Sequence, residues 1–384
     1  MLYRKLRPLL LAILTLALLP LMPGCMRSYD LNERLLIQAI GIDRHEDVYK
    51  FTLQAFLSEG SSGTTGVEAS KSNVKLITVY GSTISEGLSN VKLVHGKTPF
   101  YGQNKYIAIG RSVADDDIER VLAFFVSGNQ SRMGTDVVMA DGEAAELLAL
   151  HLPDSMTPAL SVQRMLQSDS EHGKLYRSTL MDVTSSFELG LAGCSLPVLT
   201  PIEGENETDG LIYCRGTALF RDGSRVGEID TYQTRGLMWV IKNITSGIVA
   251  FIDSENVDVA AVRVKRCGVR ISADIVEGVP HFHVKLKAKG SLTELLLKTR
   301  GEVTPEIVSE VERYVAEYIE SEIERAYSVI AVRHRCDLFR MGTWLKKHEE
   351  RFWKENCDRW EDILPLTTLD AEVELSINRF DLKS

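Results

Sequence analysis

Thr304-Pro305-Glu306-Ile307-Val308-Ser309-Glu310-Val311 opens the most periodic segment of the 384-residue chain. Thr304 suits a helix N-cap, and proline suits the first helical position, where its missing N–H costs nothing. Ile307, Val311, Val315, Ile319, Ile323, Ala326 and Ile330 then mark one face of a long helix. Glu306, Glu310, Glu317, Glu320 and Glu324 read mostly as solvent charges, pointing outward from the core. Further on, Leu369, Ala371, Val373, Leu375 and Ile377 alternate with Asp370, Glu372, Glu374, Ser376 and Asn378. That is a half-buried strand with its polar side in water. An apolar helical face of this length needs cover. The pattern predicts that the helix lies across the apolar face of the strand's sheet and forms a C-terminal core. A second helix is predicted between them, from about Asp337 to Asn356.

Working back, Gly247 to Lys289 reads as several strands, some with period-two patterning. Thr231 to about Lys242 reads as a helix. Ile212–Arg221, an Asp222-Gly223 turn and Arg225–Ile229 form a hairpin signature. Pro201 to Gly210, rich in proline, glycine and acid, is the best linker. Before it, apolar strands (Leu35–Ile42, Val48–Phe56, Val74–Tyr80, Tyr106–Ile109, Asp136–Ala140) alternate with helical spacing at Ser82–Val94, after Asp115–Asp117 and at Gly142–Leu150. A loop rich in glycine, serine and threonine covers Glu59 to Ser72. The expected fold is mixed α+β, with mixed α/β character in the first part. It is multi-lobed, each lobe a mainly antiparallel or mixed sheet with helices packed on it. The expected organisation is a signal segment over 1–24, an N-terminal α/β domain over 25–195, and a C-terminal α+β region over 205–384. That region subdivides near 245 into a small middle lobe and a C-terminal lobe.

Arg4, Lys5 and Arg7, an apolar run from Leu9 to about Leu21, and Leu21-Met22-Pro23-Gly24-Cys25 make up a basic, an apolar and a small-residue cleavage region. Those are the three parts of a secretory signal peptide. The cysteine after the cut resembles the lipobox of bacterial lipoproteins, with Met22 where that motif prefers leucine. The resemblance implies diacylglycerol on the Cys25 thiol. The competing reading is an ordinary signal peptide or an N-terminal membrane helix. The run is shorter than the ~20 residues that a span needs.

Net charge is −9. Residues 1–24 hold three bases and no acid, so their removal takes it to −12. This balance argues against nucleic acid as a partner, which requires a basic face. It gives no reason to expect electrostatic docking onto anionic lipid. Beyond Cys25 the cysteines are Cys194, Cys214, Cys267, Cys336 and Cys357, without CxxC spacing. Cys194 and Cys214 flank one polar loop and could pair; small buried hydrophobes is the favoured reading.

Nothing in the sequence supports a catalytic site. Gly96-Lys97-Thr98 resembles the tail of a phosphate-binding loop, but the glycine required at 91 is Val91. Gly60, Gly63 and Gly66 lack the strand-then-helix setting of a dinucleotide site. His281 and His283 share one strand face without an evident third metal ligand, and His334 with Cys336 is as weak. No catalytic, cofactor-binding or metal residue is assigned, and no cofactor is expected.

Taken together, the residues resemble the C subunit of spore germinant receptors, the Ger(x)C lipoprotein family. The likeness starts at Leu31-Asn32-Glu33 and Ala39-Ile40-Gly41-Ile42-Asp43 and resumes at Ile107–Gly110 and Asp136–Leu148. It continues through Gly216–Gly223, Val226-Gly227 and Gly236-Leu237-Met238-Trp239. Its most specific part is Asp337-Leu338-Phe339-Arg340-Met341-Gly342 with Trp344, Trp353 and Trp360. The resemblance implies a non-catalytic lipoprotein on the outer face of the spore inner membrane, partnered by two membrane-embedded subunits of A and B type in a nutrient receptor that triggers germination. Asp337, Gly342, Trp344 and Trp360 are read as capping, tight packing and core rather than partner contact. The alternative is an extracytoplasmic solute-binding lipoprotein, which requires a deep polar and aromatic cleft; the sequence shows no cluster marking one. A cell-envelope enzyme is a weaker third reading.

Overall fold

Two β-sheets carry the chain, each with its own cover of helices. The computed structural model describes residues 33–381 apart from 57–72, 117, 128–130, 151, 153–156, 189–192, 205–209, 243, 253 and 300–301. The signal segment, Cys25, the tether after it and the 59–72 loop lie outside the described residues.

The first sheet contains β1 (Arg34–His45), β2 (Val48–Phe56), β3 (Val74–Gly81), β4 (Thr98–Phe100), β5 (Tyr106–Ile109), β6 (Asp136–Ala140), β7 (Cys194–Ile202), β8 (Leu211–Arg221) and β9 (Ser224–Asp230). Their order is β3-β2-β1-β5-β6-β7-β8-β9, with β4 beside β1. The centre, β1-β5-β6-β7, is parallel, and both ends are antiparallel. Central strands are covered on both faces, which is why β5 and the Val137–Ala140 part of β6 read as unbroken apolar runs. One face carries α1 (Ile84–His95), α2 (Arg111–Ala114), α3 (Ile118–Ser127) and, later in the chain, α6; the other carries α4 (Ala144–Ala149) and α5 (Pro158–His172). Helix α6 spans Leu180–Glu188. Thr83 caps α1 by accepting from the Glu86 N–H, and Gly96 ends it at φ 77°.

Helices α5 and α6 had no counterpart in the periodicity reading. The buried residues described on α5 are Pro158, Ala159, Val162 and Leu166, set among polar residues, so its apolar stripe is faint. The Pro201–Gly210 stretch joins β7 to β8, which are neighbours in one sheet. The β8–β9 turn has Asp222 at φ 50° and Gly223 at φ 78°, the paired positive angles of a tight hairpin.

The second sheet has the order β10 (Ile248–Ile252), β11 (Val257–Val276), β12 (Val279–Leu297) and β13 (Thr368–Phe380). The first three are antiparallel and β13 joins parallel to β12. Helix α7 (Thr231–Ile241) begins in a capping box, with Asp230 accepting from the N–H groups of Tyr232 and Gln233. Helix α8 (Pro305–Tyr327) starts on Thr304 and packs between α7 and β13. Val311, Val315, Ile319, Ile323 and Ala326 are all buried, in one core with Phe282, Val284 and Leu286 of β12 and Leu369, Val373 and Ile377 of β13. The apolar face of the long helix therefore covers the sheet, as its spacing predicts. The helix leaves α geometry in a π turn over Ser328–Arg333.

Two expectations are corrected. The single helix over Asp337–Asn356 is two, α9 (Met341–His348) and α10 (Glu350–Asn356), broken at Glu349 (φ −127°, ψ 56°). Trp344 packs edge-on to Phe282, and Trp353 on Trp360. Nine residues of straight helix would put these indoles on opposite sides, at about 100° per residue. The break lets both turn to the core. The α8 glutamates are also not all solvent charges. Glu306 and Glu317 are exposed, but Glu310 is buried and Glu320 half-buried. Glu310 accepts from Ser254 Oγ (2.5 Å), Asn256 N (2.9 Å) and Asn256 Nδ2 (2.7 Å), pinning the loop that leads into β11. The architecture is mixed α+β, two mixed sheets with helices packed on them.

Candidate functional site

The residues singled out by motif turn out to be internal fasteners. Asp43, at the end of the Gly41-Ile42-Asp43 stretch, points away from solvent and accepts from the N–H groups of Ala144 (2.7 Å) and Ala145 (3.0 Å). It closes the otherwise orphaned start of α4. Burial pushes its carboxyl above the usual range, opposed by those two N–H donors. A side chain on Gly110 would strike the Asp43 carboxylate, and one on Gly41 would crowd Ala144. Gly110 is therefore a close approach of backbone to the buried acid, and Gly41 a close approach to the start of the helix that the acid caps. Asp136 is likewise buried, held by Arg177 Nε at 2.6 Å.

Asp337 organises the C-terminal tryptophans. Its carboxylate accepts from Met341 N (2.7 Å), Gly342 N (2.6 Å) and Trp360 Nε1 (3.0 Å). Burial pushes the carboxyl up to about 6 against those three donors. A Cβ on Gly342 would lie 2.8 Å from the Trp353 ring and 2.9 Å from Trp360 Nε1. The run read as capping and tight packing has that role.

Sequence reasoning missed the joint between α7 and α8. Arg235 Nε donates to both Glu322 oxygens (3.2 and 3.0 Å), its Nη2 to Oε1 (2.5 Å), and Trp239 Nε1 to Oε2 (3.1 Å). The two charges are 3 % and 6 % exposed. Gly236 allows the contact, because a Cβ there would lie 2.1 Å from the Glu322 carbonyl. The only sequence signal was a charged residue on an otherwise apolar helical face. A second polar cluster ties the end of the first sheet: Asp141 pairs with Arg111 and with Arg215 (2.7 Å), and Glu228 with Arg225 (2.8 Å).

Among the described residues, no group of three or more His, Cys, Asp or Glu is placed to hold a metal ion. His281 Nδ1 meets Thr368 Oγ1 at 2.7 Å, and His283 sits between Asp274 (3.2 Å) and Asp370 (3.5 Å). His334 Nδ1 donates to the Val226 carbonyl. The five described cysteines are free thiols. Cys194 and Cys214 do not pair: on β7 and β8 they are opposite Phe220 and Leu199, five rows apart. Burial pushes the Cys336 thiol up to about 12 and raises that of Cys194. No helix among the described residues is long and apolar enough to cross a membrane.

The fold does assemble one concave surface that the sequence left scattered. A groove of about 590 Å³ runs between β8, the end of α5 and the start of α7. It is lined by Met165, His172, Lys174, Tyr213, Tyr232 and Ile248. Tyr213 and Tyr232 are both more than half exposed, and Lys174 lies 5.6 Å over the Tyr232 ring.

Two family models match in tandem, described as the spore germination protein N-terminal domain over residues 27–201 and the spore germination B3/GerAC-like C-terminal domain over 215–381. The chain belongs to the Ger(x)C family of spore germination proteins. Among curated relatives of the family, spore germination protein B3 of Bacillus subtilis (strain 168) is 21% identical, over 93% of this chain and 94% of its own length. Spore germination protein KC of the same organism is also 21% identical, over 98% and 97%. The crystal structure of the GerBC protein shares the fold, with a TM-score of 0.57 at 18% identity, covering 88% of this chain and 96% of that one.

Proposed function

We propose that this chain is a non-catalytic, lipid-anchored subunit of a nutrient germinant receptor, required for triggering spore germination. The observation that carries this reading is the tandem, end-to-end match to both family domains. The use of Asp43, Asp136, Asp337 and Glu322 as structural ties supports it. In this reading Cys25 bears a diacylglyceryl group after loss of residues 1–24. One acyl chain binds a membrane only marginally, at ~0.8 kcal/mol per buried methylene, and two anchor it. The subunit then sits on the outer face of the spore inner membrane with two membrane-embedded partners of A and B type. Its mature part divides into an N-terminal domain to about 195 and a C-terminal region from about 205. The test is co-purification from detergent-solubilised spore membranes. Recovery of two polytopic proteins with the chain is expected, and recovery of the chain alone overturns the proposal. The Tyr213–Tyr232 groove favours a second reading, a solute-binding lipoprotein. Equilibrium dialysis of candidate nutrients against the purified chain, with Tyr232→Ala as control, separates the two.

A further inference from the structure

The two edges of the second sheet differ in chemistry. Strand β10 covers only the Val259–Arg263 part of β11. From Lys265 to Val276, twelve residues long, β11 pairs with β12 alone among the described residues. Its outward side carries Arg266 and Arg270, both exposed, on either side of Gly268, over which there is open space, followed by Ser272 and by Asp274, which lies 3.2 Å from His283. Among the described residues no carboxylate pairs with either arginine, whereas several neighbouring cations on the sheet are engaged: Lys265 with Asp381, Lys285 with Glu372 and Glu374, Lys287 with Glu374. Exposed Lys289, directly across from Arg266, adds to the positive charge. The inward side carries Val269, Ile271 and Ala273, each only partly buried against the core.

The same sheet shows what such a row accepts. On the other side of β12, the neighbouring strand is β13. Its outward Glu372 and Glu374 stand beside Lys285 and Lys287, while its inward Leu369, Val373 and Ile377 extend the core. Acid outward and apolar inward is the pattern that fits a basic outer row with a half-covered apolar inner row. We propose that the open edge of β11 over Lys265–Val276 receives one more strand, an extended segment of another protein that alternates acidic and apolar residues. Its acids lie opposite Arg266 and Arg270, at the cross-strand spacing where opposite charges attract. Its apolar side chains cover Val269, Ile271 and Ala273. Main-chain hydrogen bonds supply affinity and the alternate side chains supply selection, as in strand addition generally. This inference deepens the receptor-subunit reading by naming the chemistry of a partner segment.

The test is hydrogen exchange on the full-length chain in detergent, read over residues 265–276. The probes are a synthetic peptide of alternating valine and glutamate, the same peptide with lysine for glutamate, and phosphatidylglycerol vesicles. The glutamate peptide is expected to slow exchange in this segment, and the lysine peptide is not. Each arginine lost should weaken peptide binding by about two- to fivefold, the factor equivalent to one cross-strand charge pair. Arg266→Glu with Arg270→Glu should reverse the preference, so that the lysine peptide binds. Unchanged exchange in β13 shows that this variant is folded. The inference is overturned if the segment is already protected in the free chain, if both peptides act equally, or if only the vesicles protect it. Loss of peptide binding with co-purification of the membrane partners intact overturns this inference alone. Co-purification failing while the peptide preference holds overturns the receptor reading alone.

Discussion

The outer edge of β13 and the open edge of β11 belong to one sheet, yet they are treated in opposite ways. Along β13, the main-chain N–H groups of Ala371, Val373 and Ile377 donate to carboxylates of α8: Glu324 (3.2 Å), Glu320 (2.8 Å) and Glu312 (2.7 Å). The spacing explains the match. Four residues of helix advance about 6 Å and two residues of strand about 6.6 Å, so glutamates four and eight apart keep step with every second strand N–H. The helix that fills the core thus also closes the sheet edge. Along β11 nothing comparable is present among the described residues, and the edge carries arginine instead. An unpaired strand edge is a template for further pairing. One edge of this sheet is finished by the chain itself and the other is left available.

The sharpest way to break that comparison is to release α8. Glu322→Ala strands Arg235 in the interior and should destabilise the protein by about 3–5 kcal/mol in urea unfolding. A loss under about 1 kcal/mol would mean that the pair does not hold the helix. Ile319→Ala leaves the charges alone and empties a core position; about 2–5 kcal/mol is expected from thermal or urea melts. If stability is untouched while partner recovery fails, this face binds a partner instead. Glu320→Ala opens the capped edge only. It should cost about 1–3 kcal/mol, the range for a lost charged acceptor, and speed exchange of the Val373 amide. Unaltered exchange would return Glu320 to the status of a surface charge.

Smaller effects sharpen the contrast between paired and unpaired bases. Lys285 and Lys287 hold the Glu374 carboxyl down to about 2 from 4.5. A carboxyl depressed by folding contributes stability above its unfolded value, and that contribution disappears as pH falls from 4.5 through about 2. Carbon-detected NMR titration should show the low midpoint, rising toward 4.5 in the Lys285→Ala, Lys287→Ala variant. Arg266→Ala, by contrast, should change stability by less than about 0.5 kcal/mol, as for a surface site without partners. A larger loss in the isolated chain would show that the β11 edge is already occupied.

Much of this was legible from local pattern. The hairpin turn at Asp222-Gly223, the cap at Thr304 and the strand alternation after Leu369 each depend on backbone preferences and solvent contrast within a few residues. Helices α5 and α6 were not, because small and polar residues blur their buried stripes. The α9–α10 break was hidden too, since it answers to where Phe282 lies, far from it in sequence, as well as to nearby Trp360.

The sequence by itself determined the alternation of elements, the apolar face of α8, the acid row of β13 and the motifs that mark the family. Each is a periodicity or a short-range preference, written along the chain. Only the tertiary structure decided which charges on α8 are surface charges and which are buried ties. Glu306, Glu310, Glu317, Glu320, Glu322 and Glu324 are the same side chain on one helix. What separates them is the neighbour that packing delivers: an exposed position for Glu306, Arg313 one turn away on the exposed face for Glu317, Asn256 for Glu310, Arg235 for Glu322, and the edge of a strand for Glu320 and Glu324. Partners this distant in sequence leave no local trace, because an isolated carboxylate carries the same charge whatever it will later meet.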